Sequence, residues 1–270
     1  MPEIAEVAVY ANDLNKLIKN KELKAVTFAG EDRWRDKIVP PDARALLLSF
    51  TGQKCFFDSC GKSLYFQSEK SKQSILFKLG MTGMFQLSLP KADSKERHNF
   101  LTLEFDSLNI YYLDYRRFGR ISVSSSKEDQ SLAGFQAGEF SILNKAEVTK
   151  LIPKLKGCLT KPKVSWLLEH GTKTGVGNYL ANEALGRLNL NPFTPCENEK
   201  EAVSILLEVI KVASLSFKKG GNSFKGGYYR LTGEKGTFYK YCLFYRNKNV
   251  PCSLFNGRPI YSHFKNPKIT

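Results

Sequence analysis

Residues 1–6 read Met1-Pro2-Glu3-Ile4-Ala5-Glu6, and two readings of them compete. A proline directly after the initiator Met becomes the mature N-terminus once Met1 is removed, and its nitrogen is then a free secondary amine. Such an amine is a nucleophile that forms a charged iminium with an aldehyde or a sugar C1′. Glu3 and Glu6 place carboxylates within a few residues of it, where one can move protons. The plainer reading is a helix start, with Pro in the first turn and acidic residues offsetting the helix dipole. Both readings lead into the same element. Ile4, Val7, Ala11, Leu14 and Ile18 recur on one helical face, so residues 3–19 are predicted to form an amphipathic helix that buries one stripe.

Beyond that helix, from about 23 to 123, the pattern changes to short apolar or alternating runs. These are Leu23–Phe28, Ala45–Phe50, Lys54–Asp58, Ser63–Gln67, Ser74–Leu79, Gly83–Leu89, Phe100–Phe105 and Asn109–Leu113, separated by Pro40-Pro41, Thr51-Gly52, Ser59-Cys60-Gly61 and Pro90. Many short strands at regular spacing predict a β-sandwich or barrel. Helical signals return over 145–153, 160–169, 178–188 and 197–219, and the Gly-, Lys- and Tyr-rich tail carries a strand-like pair at 237–246 and 258–264. The expected class is α+β: an N-terminal helix-led β domain (1–123), a linker (124–140), a helical domain (141–219) and a β-rich tail (220–270).

The 270 residues suffice for one large or two modest cores. The formal net charge of +15, from 41 Lys+Arg against 26 Asp+Glu, favours a polyanionic partner. No apolar run approaches a membrane span, and the start lacks the regions of a signal peptide. A cytoplasmic, nucleoid-associated location is therefore expected, or a nuclear one in a eukaryote. Cys55, Cys60, Cys158, Cys196, Cys242 and Cys252 form no C-x-x-C pair, so reduced thiols and no metal are expected.

Four loops could carry chemistry. Gly175-Val176-Gly177-Asn178 lies between helical segments with Lys173 nearby; it is either a phosphate-holding nest of backbone amides or a plain helix–helix turn. Asp114-Tyr115-Arg116-Arg117-Phe118-Gly119 sets two cations beside a turn Phe, an arrangement suited to wedging into a duplex. Leu79-Gly80-Met81-Thr82-Gly83 offers Met81 as a second wedge, although a Met is more often core than tool. Gly61-Lys62 sits in a hairpin turn, where a lone Lys is usually a solvated edge guard.

Taken in order, these segments resemble the formamidopyrimidine-DNA glycosylase and endonuclease VIII family of base-excision repair enzymes. The likeness runs from Pro-Glu-x-x-Glu-Val at 2–7 through Gly61-Lys62, Leu-Gly-Met-Thr-Gly at 79–83 and Asp-x-Arg-Arg-Phe-Gly at 114–119. It continues through Gly-Val-Gly-Asn-Tyr-Leu-Ala-Asn-Glu-Ala-Leu at 175–185 and Gly220-Gly221-Asn222-Ser223 to Tyr245-Arg246 and Pro251-Cys252. It implies a helix-capped antiparallel β-sandwich, a helix–two-turns–helix domain and a C-terminal β-hairpin finger. It also implies roles: Pro2 attacks C1′, Glu3 protonates the sugar ring oxygen with Glu6 in support, Lys62 and Asn178 hold phosphate, and Met81, Arg116 and Phe118 fill the gap left by a flipped nucleotide. Arg117, Lys173 and Gly177 join the expected DNA contacts. The implied activity is a bifunctional glycosylase and abasic-site lyase acting as a monomer on damaged double-stranded DNA without a cofactor, with β- and δ-elimination and a broad range leaning to oxidised or ring-opened purines.

The departures bear on the finger. Cys252 stands where a first zinc ligand would be, but Phe255 occupies the next ligand position, which implies a zincless hairpin held by Ile260, Tyr261 and Phe264. The finger's usual phosphate-binding Arg is expected to be missing, with Lys268 nearest its place. Ala5 replaces a common Pro. The stretch Gly220–Phe238 is long enough for a loop that caps an oxidised purine, whereas the zincless finger suits an endonuclease VIII-like enzyme for oxidised pyrimidines. A lesion- or abasic-site-binding protein without chemistry is the rival outside enzymes; a membrane-surface protein is more distant, since no helix pairs a basic face with a broad apolar one.

Overall fold

The computed structural model describes residues 2–29, 32–89, 98–125, 131–223, 230–231 and 233–266, with Asp32, Arg33 and Lys173 described by backbone alone. Helix α1 (Ile4–Ile18) is followed by β1 (Leu23–Thr27), α2 (Asp32–Ile38), α3 (Pro41–Ser49) and the antiparallel strands β2 (Cys55–Cys60), β3 (Ser63–Ser68), β4 (Ser74–Lys78), β5 (Gly83–Gln86), β6 (Asn99–Phe105), β7 (Leu108–Asp114) and β8 (Arg120–Ser124). Then come β9 (Ala133–Gln136), β10 (Glu139–Ile142), α4 (Lys145–Leu151), α5 (Lys163–Glu169), α6 (Gly171–Thr174), α7 (Asn178–Arg187), α8 (Glu199–Lys218) and the hairpin β11 (Cys252–Phe255) and β12 (Arg258–Tyr261).

The class is α+β. One sheet has the order β1-β6-β7-β5 and the other β10-β9-β2-β3-β4-β8. Their inward side chains, among them Phe57, Phe66, Phe77, Phe85, Leu103 and Tyr112, form a single apolar cluster with Val7, Ala11, Leu14 and Ile18 of α1. Alternation puts these residues on one face of each strand, which is why the period-2 runs are legible in the sequence. A second cluster gathers the helices: Trp166, Leu180, Leu206, Val209 and Ala213 with Phe238, Phe255 and Ile260 of the tail. Ile4 belongs to this second cluster, so the first turn of α1 bridges the two cores.

Three expectations change. The run Ala45–Phe50, read as a strand, lies mostly in α3. Pro40 is the N-cap, Pro41 takes the first helical position, Asp42 follows, and Ala43 and Leu47, one helical turn apart, are buried. The prolines start a helix there instead of separating strands. The stretch 124–140, expected to be a linker, contains β9 and the start of β10; β9 pairs with β2, and Phe140 stacks on Phe217 of α8 at 4.4 Å. The tail segment 237–246 opens with a 3-10 turn at Phe238–Tyr241 and is not a strand. The hairpin instead pairs β11 with β12 around Asn256-Gly257, both at positive φ. Asn-Gly with two left-handed residues is the tight turn whose twist matches antiparallel strands.

Candidate active site at the seam of two domains

Helix α1 carries Pro2 and Glu3 to the point where the sandwich meets α7. Two local features hold that seam. Lys62 follows Gly61 in the two-residue turn between β2 and β3, with Gly61 at φ 58°, as a turn with Gly in its first central position requires. The turn aims Lys62 Nζ at Val176 O, 2.7 Å away. On the other side, Ile4 N donates to Gly175 O at 3.2 Å. Gly175 is left-handed at φ 88°, and a β-carbon there would stand 2.8 Å from the Ile4 side chain.

The Glu3 carboxylate accepts from Gly177 N (2.8 Å), Tyr179 N (3.0 Å) and Leu180 N (3.3 Å). The amide nest at the start of α7 therefore holds the carboxyl of Glu3 of the same chain and not a phosphate. A β-carbon at 177 would collide with that carboxylate, which is why the position must be Gly. Burial pushes the Glu3 carboxyl up to about 7; the Lys62 charge opposes the rise and Glu6 adds to it. Burial likewise drives Lys62 below its ordinary value, with Glu3 pulling it up and Arg258 pushing it down.

Glu6 lies one turn further along α1. It accepts from Glu3 N (2.9 Å), the Tyr179 hydroxyl (3.0 Å) and Asn222 N (2.8 Å). Its carboxyl is raised by burial, against the pull of the Asn222 and Glu3 amides. These bonds tie α1 to α7 and to the segment after α8. Above them opens a cleft of about 700 Å³ whose walls include Pro2, Glu3, Glu6, Lys62, Met81, Asn178, Arg230, Arg246 and Arg258.

Met81 and Phe118 are exposed, by 38% and 55%, and so belong to no core. Arg116 joins them: its guanidinium lies 4.7 Å from the Phe118 ring centroid, and its Nη1 lies 3.9 Å from Met81 Sδ. The organiser of the two loops is Asp114, which is fully buried. It accepts from the Thr82 hydroxyl (2.6 Å) and Gly119 N (2.6 Å), while Thr82 Oγ1 in turn accepts from Arg116 N (3.0 Å). Asp114 was not among the sequence candidates, although it heads the very motif that contained them. Arg117 turns the other way, with its guanidinium 4.9 Å from the Trp34 ring centroid on α2.

Asn178 donates through Nδ2 to Pro259 O (3.0 Å), and its buried Oδ1 has no partner. A phosphate contact through this amide requires that it leave Pro259. Asn182 Nδ2 donates to Asn178 O (2.6 Å), and Asn182 Oδ1 accepts from Tyr261 N (2.6 Å). Hence α7 clamps the hairpin. Of the side chains expected to hold the hairpin, Ile260 is buried, Tyr261 is half-buried and Phe264 is exposed; Phe255 packs on Phe193 instead, 5.4 Å between centroids. Cys252 is exposed, and among the described residues no three His, Cys, Asp or Glu stand together as a metal-binding group, so the donors present do not fit a tetrahedral zinc. Lys268 lies outside the described residues, as does the Lys173 side chain. Arg258, overlooked in the sequence, stands at the hairpin turn, lines the cleft and perturbs Lys62. Its signal was the Asn-Gly turn immediately before it.

Residues 1–121 match the family model of the formamidopyrimidine-DNA glycosylase N-terminal domain. The chain is 26% identical over 254 residues to the formamidopyrimidine-DNA glycosylase of Acinetobacter baumannii, covering 93% of this chain and 88% of the relative. The N-terminal part of the chain thus resembles the formamidopyrimidine-DNA glycosylases. The formamidopyrimidine-DNA glycosylase of Thermus thermophilus is 27% identical over 264 residues, covering 96% of this chain and 92% of the relative. The fold agrees. The Thermus thermophilus MutM (Fpg) crystal structure superposes with a TM-score of 0.68 at 24% identity, covering 97% of both chains. A Lactococcus lactis FPG variant in complex with a Fapy-dG containing DNA gives 0.74 at 21%, again over 97% of both.

Proposed function

We propose that this protein is a DNA glycosylase for oxidised bases that also cleaves the abasic product, working through the amine of Pro2. The observation that carries the proposal is the pairing at the cleft floor: Pro2 beside a buried Glu3 whose carboxyl is pushed up to about 7. A carboxyl of that acidity keeps a proton to give near neutral pH, which an ordinary glutamate does not. After removal of Met1, the Pro2 nitrogen attacks C1′ of the extruded nucleotide. The bond from C1′ to the base breaks, and the base leaves with its electron pair and takes up a proton. Glu3 protonates the ring oxygen as the sugar opens, leaving an iminium between Pro2 and C1′. The iminium accepts the electrons freed when a C2′ proton is lost, and the C3′–O bond breaks as phosphate departs; a second elimination at C5′ follows.

Damaged duplex DNA suits the rest of the surface. Lys62, Arg246 and Arg258 put positive charge around the cleft, matching a phosphate backbone. Met81, Arg116 and Phe118 form an exposed apolar and cationic point that fits the space left by an extruded nucleotide. A cleft of about 700 Å³ has room for a purine, and the range is proposed to be broad, leaning to oxidised and ring-opened purines, for a monomer acting at the nucleoid.

The test is incubation with duplexes carrying 8-oxoguanine, formamidopyrimidine, thymine glycol, dihydrouracil or an abasic site, with borohydride present. A reduced cross-link that maps to Pro2, and its loss in Pro2→Gly, are expected. A cross-link on an internal Lys, with lyase activity intact in Pro2→Gly, overturns the mechanism. Binding without any excision assigns the chain to a lesion-binding role.

A further inference from the structure

The face of α1 turned to the cleft carries Glu6, Tyr10 and Asp13, spaced four and three residues apart and therefore aligned on one side of the helix. All three are buried. Glu6 holds Asn222 N, on the near side of the segment that follows α8. Two turns on, about 10 Å along the axis, Asp13 takes hold of the far side. Arg230 Nη2 donates to Asp13 Oδ1 at 2.7 Å and Arg230 Nε to Oδ2 at 2.9 Å, a fork meeting a carboxylate on both oxygens. Arg230 Nη1 also reaches Glu234 Oε2 at 3.2 Å, and Arg230 N donates to Glu234 O at 3.0 Å. Gly220 leaves room for this side chain: a β-carbon there would stand 3.2 Å from Arg230 Cδ.

The next residue, Leu231, is buried in the apolar cluster of the sandwich. Arg230, Leu231 and Gly233 all line the cleft. Arg230 and Leu231 are thus pinned to α1 and the sandwich by one charged fork and one apolar side chain. The far end is closed by Thr237 N to Lys219 O (2.8 Å) and Phe238 N to Gly221 O (3.2 Å). The fork cannot serve the covalent chemistry directly. Asp13 lies ten residues along α1 from Glu3, about 15 Å at helical rise.

We propose that Asp13 and Arg230 are a positioning pair that fixes the cleft wall against the base of the extruded nucleotide, governing base excision and not sugar cleavage. The inference rests on the glycosylase reading above. An abasic nucleotide presents no base to that wall, so the two substrates separate the effects. A small misplacement of a binding wall costs up to about 10²-fold in rate, and an exposed abasic sugar escapes that cost.

The experiment compares wild type, Asp13→Asn and the exchange Asp13→Arg with Arg230→Asp, each on the same duplex carrying 8-oxoguanine or a pre-formed abasic site. Melting temperatures are measured in parallel. Asp13→Asn is expected to lower excision about tenfold while abasic cleavage stays within about twofold, and the exchange restores part of the excision. Equal losses on both substrates, or no loss on either, overturn the proposal. If Asp13→Asn fails to fold, Asp13→Glu, which keeps the charge but displaces the fork by one methylene, decides by the same ratio. Wild type inactive on both duplexes would instead sink the glycosylase reading itself, a result distinct from an unchanged ratio.

Discussion

Two buried carboxylates serve the two ends of α7, and each accepts three backbone N–H groups. Glu3 takes those of Gly177, Tyr179 and Leu180 at the start of the helix. Glu183, near its end, takes those of Leu243 (3.0 Å), Phe244 (2.8 Å) and Tyr245 (2.7 Å) in the tail. The surroundings differ in two respects. Glu183 is fully buried and has Arg187 Nε at 3.2 Å. Glu3 lines the cleft, makes no ion pair with a side chain among the described residues, and shares its site with Glu6. One geometry therefore has two uses. With a guanidinium in contact and no access to solvent, the carboxylate fastens one segment to another. Buried without a guanidinium in contact, and with Glu6 beside it, the carboxyl holds its proton and becomes a candidate acid.

The largest effect that tests this contrast is on Glu3. Glu3→Gln keeps the shape but removes the proton source, and base excision is expected to fall by roughly 10²–10⁴. Cleavage of a pre-formed abasic site falls less, because its sugar already opens to the aldehyde without an acid at the ring oxygen. Melting should fall only modestly, since the amide oxygen still accepts from part of the α7 amides while its NH₂ faces the rest. Equal loss on both substrates, with a lower melting temperature, would make Glu3 a second Glu183.

Glu183→Gln is the converse. It removes one partner of a buried ion pair and turns an NH₂ toward two of the N–H donors, a loss of about 3–5 kcal/mol by analogy with broken buried pairs. Stability by denaturant titration should fall accordingly, with all activities declining together. A variant as stable as the parent would show that the clamp between α7 and the tail is redundant.

A narrower test lies at Gly177, where a β-carbon would strike the Glu3 carboxylate. Gly177→Ala should cost about 1–3 kcal/mol as overpacking and reduce excision by up to about 10²-fold through displacement of the acid. If excision is unchanged, the amide nest does not set the acid's position.

The legibility of these regions in the sequence follows their physics. The sandwich was readable because alternation is dictated by burial on one face, strand by strand, from Phe57 to Tyr112. Helix α3 was not, because Pro40-Pro41 marks both breaks and helix starts, and only the burial of Ala43 and Leu47 decides between them. The site candidates on α1 and at 79–83 and 114–119 stood in contiguous motifs. Glu183 did not stand out, because its work is to accept backbone amides from the distant tail, and backbone amides leave no trace in residue type; Asp114 was hidden because it ties its own motif to the Thr82 hydroxyl, 32 positions away. Asp13 and Arg230, 217 positions apart, escaped for the same reason: a pairing across two domains has no spacing to read.

The smallest effect is the pH dependence of stability, and it isolates Glu3. Its carboxyl has an ordinary value of 4.5 and is held at about 7 in the folded chain. Between those values the folded state binds more protons than the unfolded state, so stability contributed by this group falls as pH rises. The contribution is complete below 4.5 and gone above about 7. Glu6 is also raised by burial, so the total slope does not belong to one residue. Subtracting the melting curve of Glu3→Gln, where Glu6 still titrates, leaves the Glu3 share. The difference in melting temperature between parent and variant should shrink steadily from pH 4.5 to about 7 and then stay level, while excision by the parent declines above about 7 as the proton is lost. A difference that is flat across that window would mean that Glu3 titrates alike in both states. It would then be a structural clamp like Glu183, and the proton for sugar opening would have to come from another group.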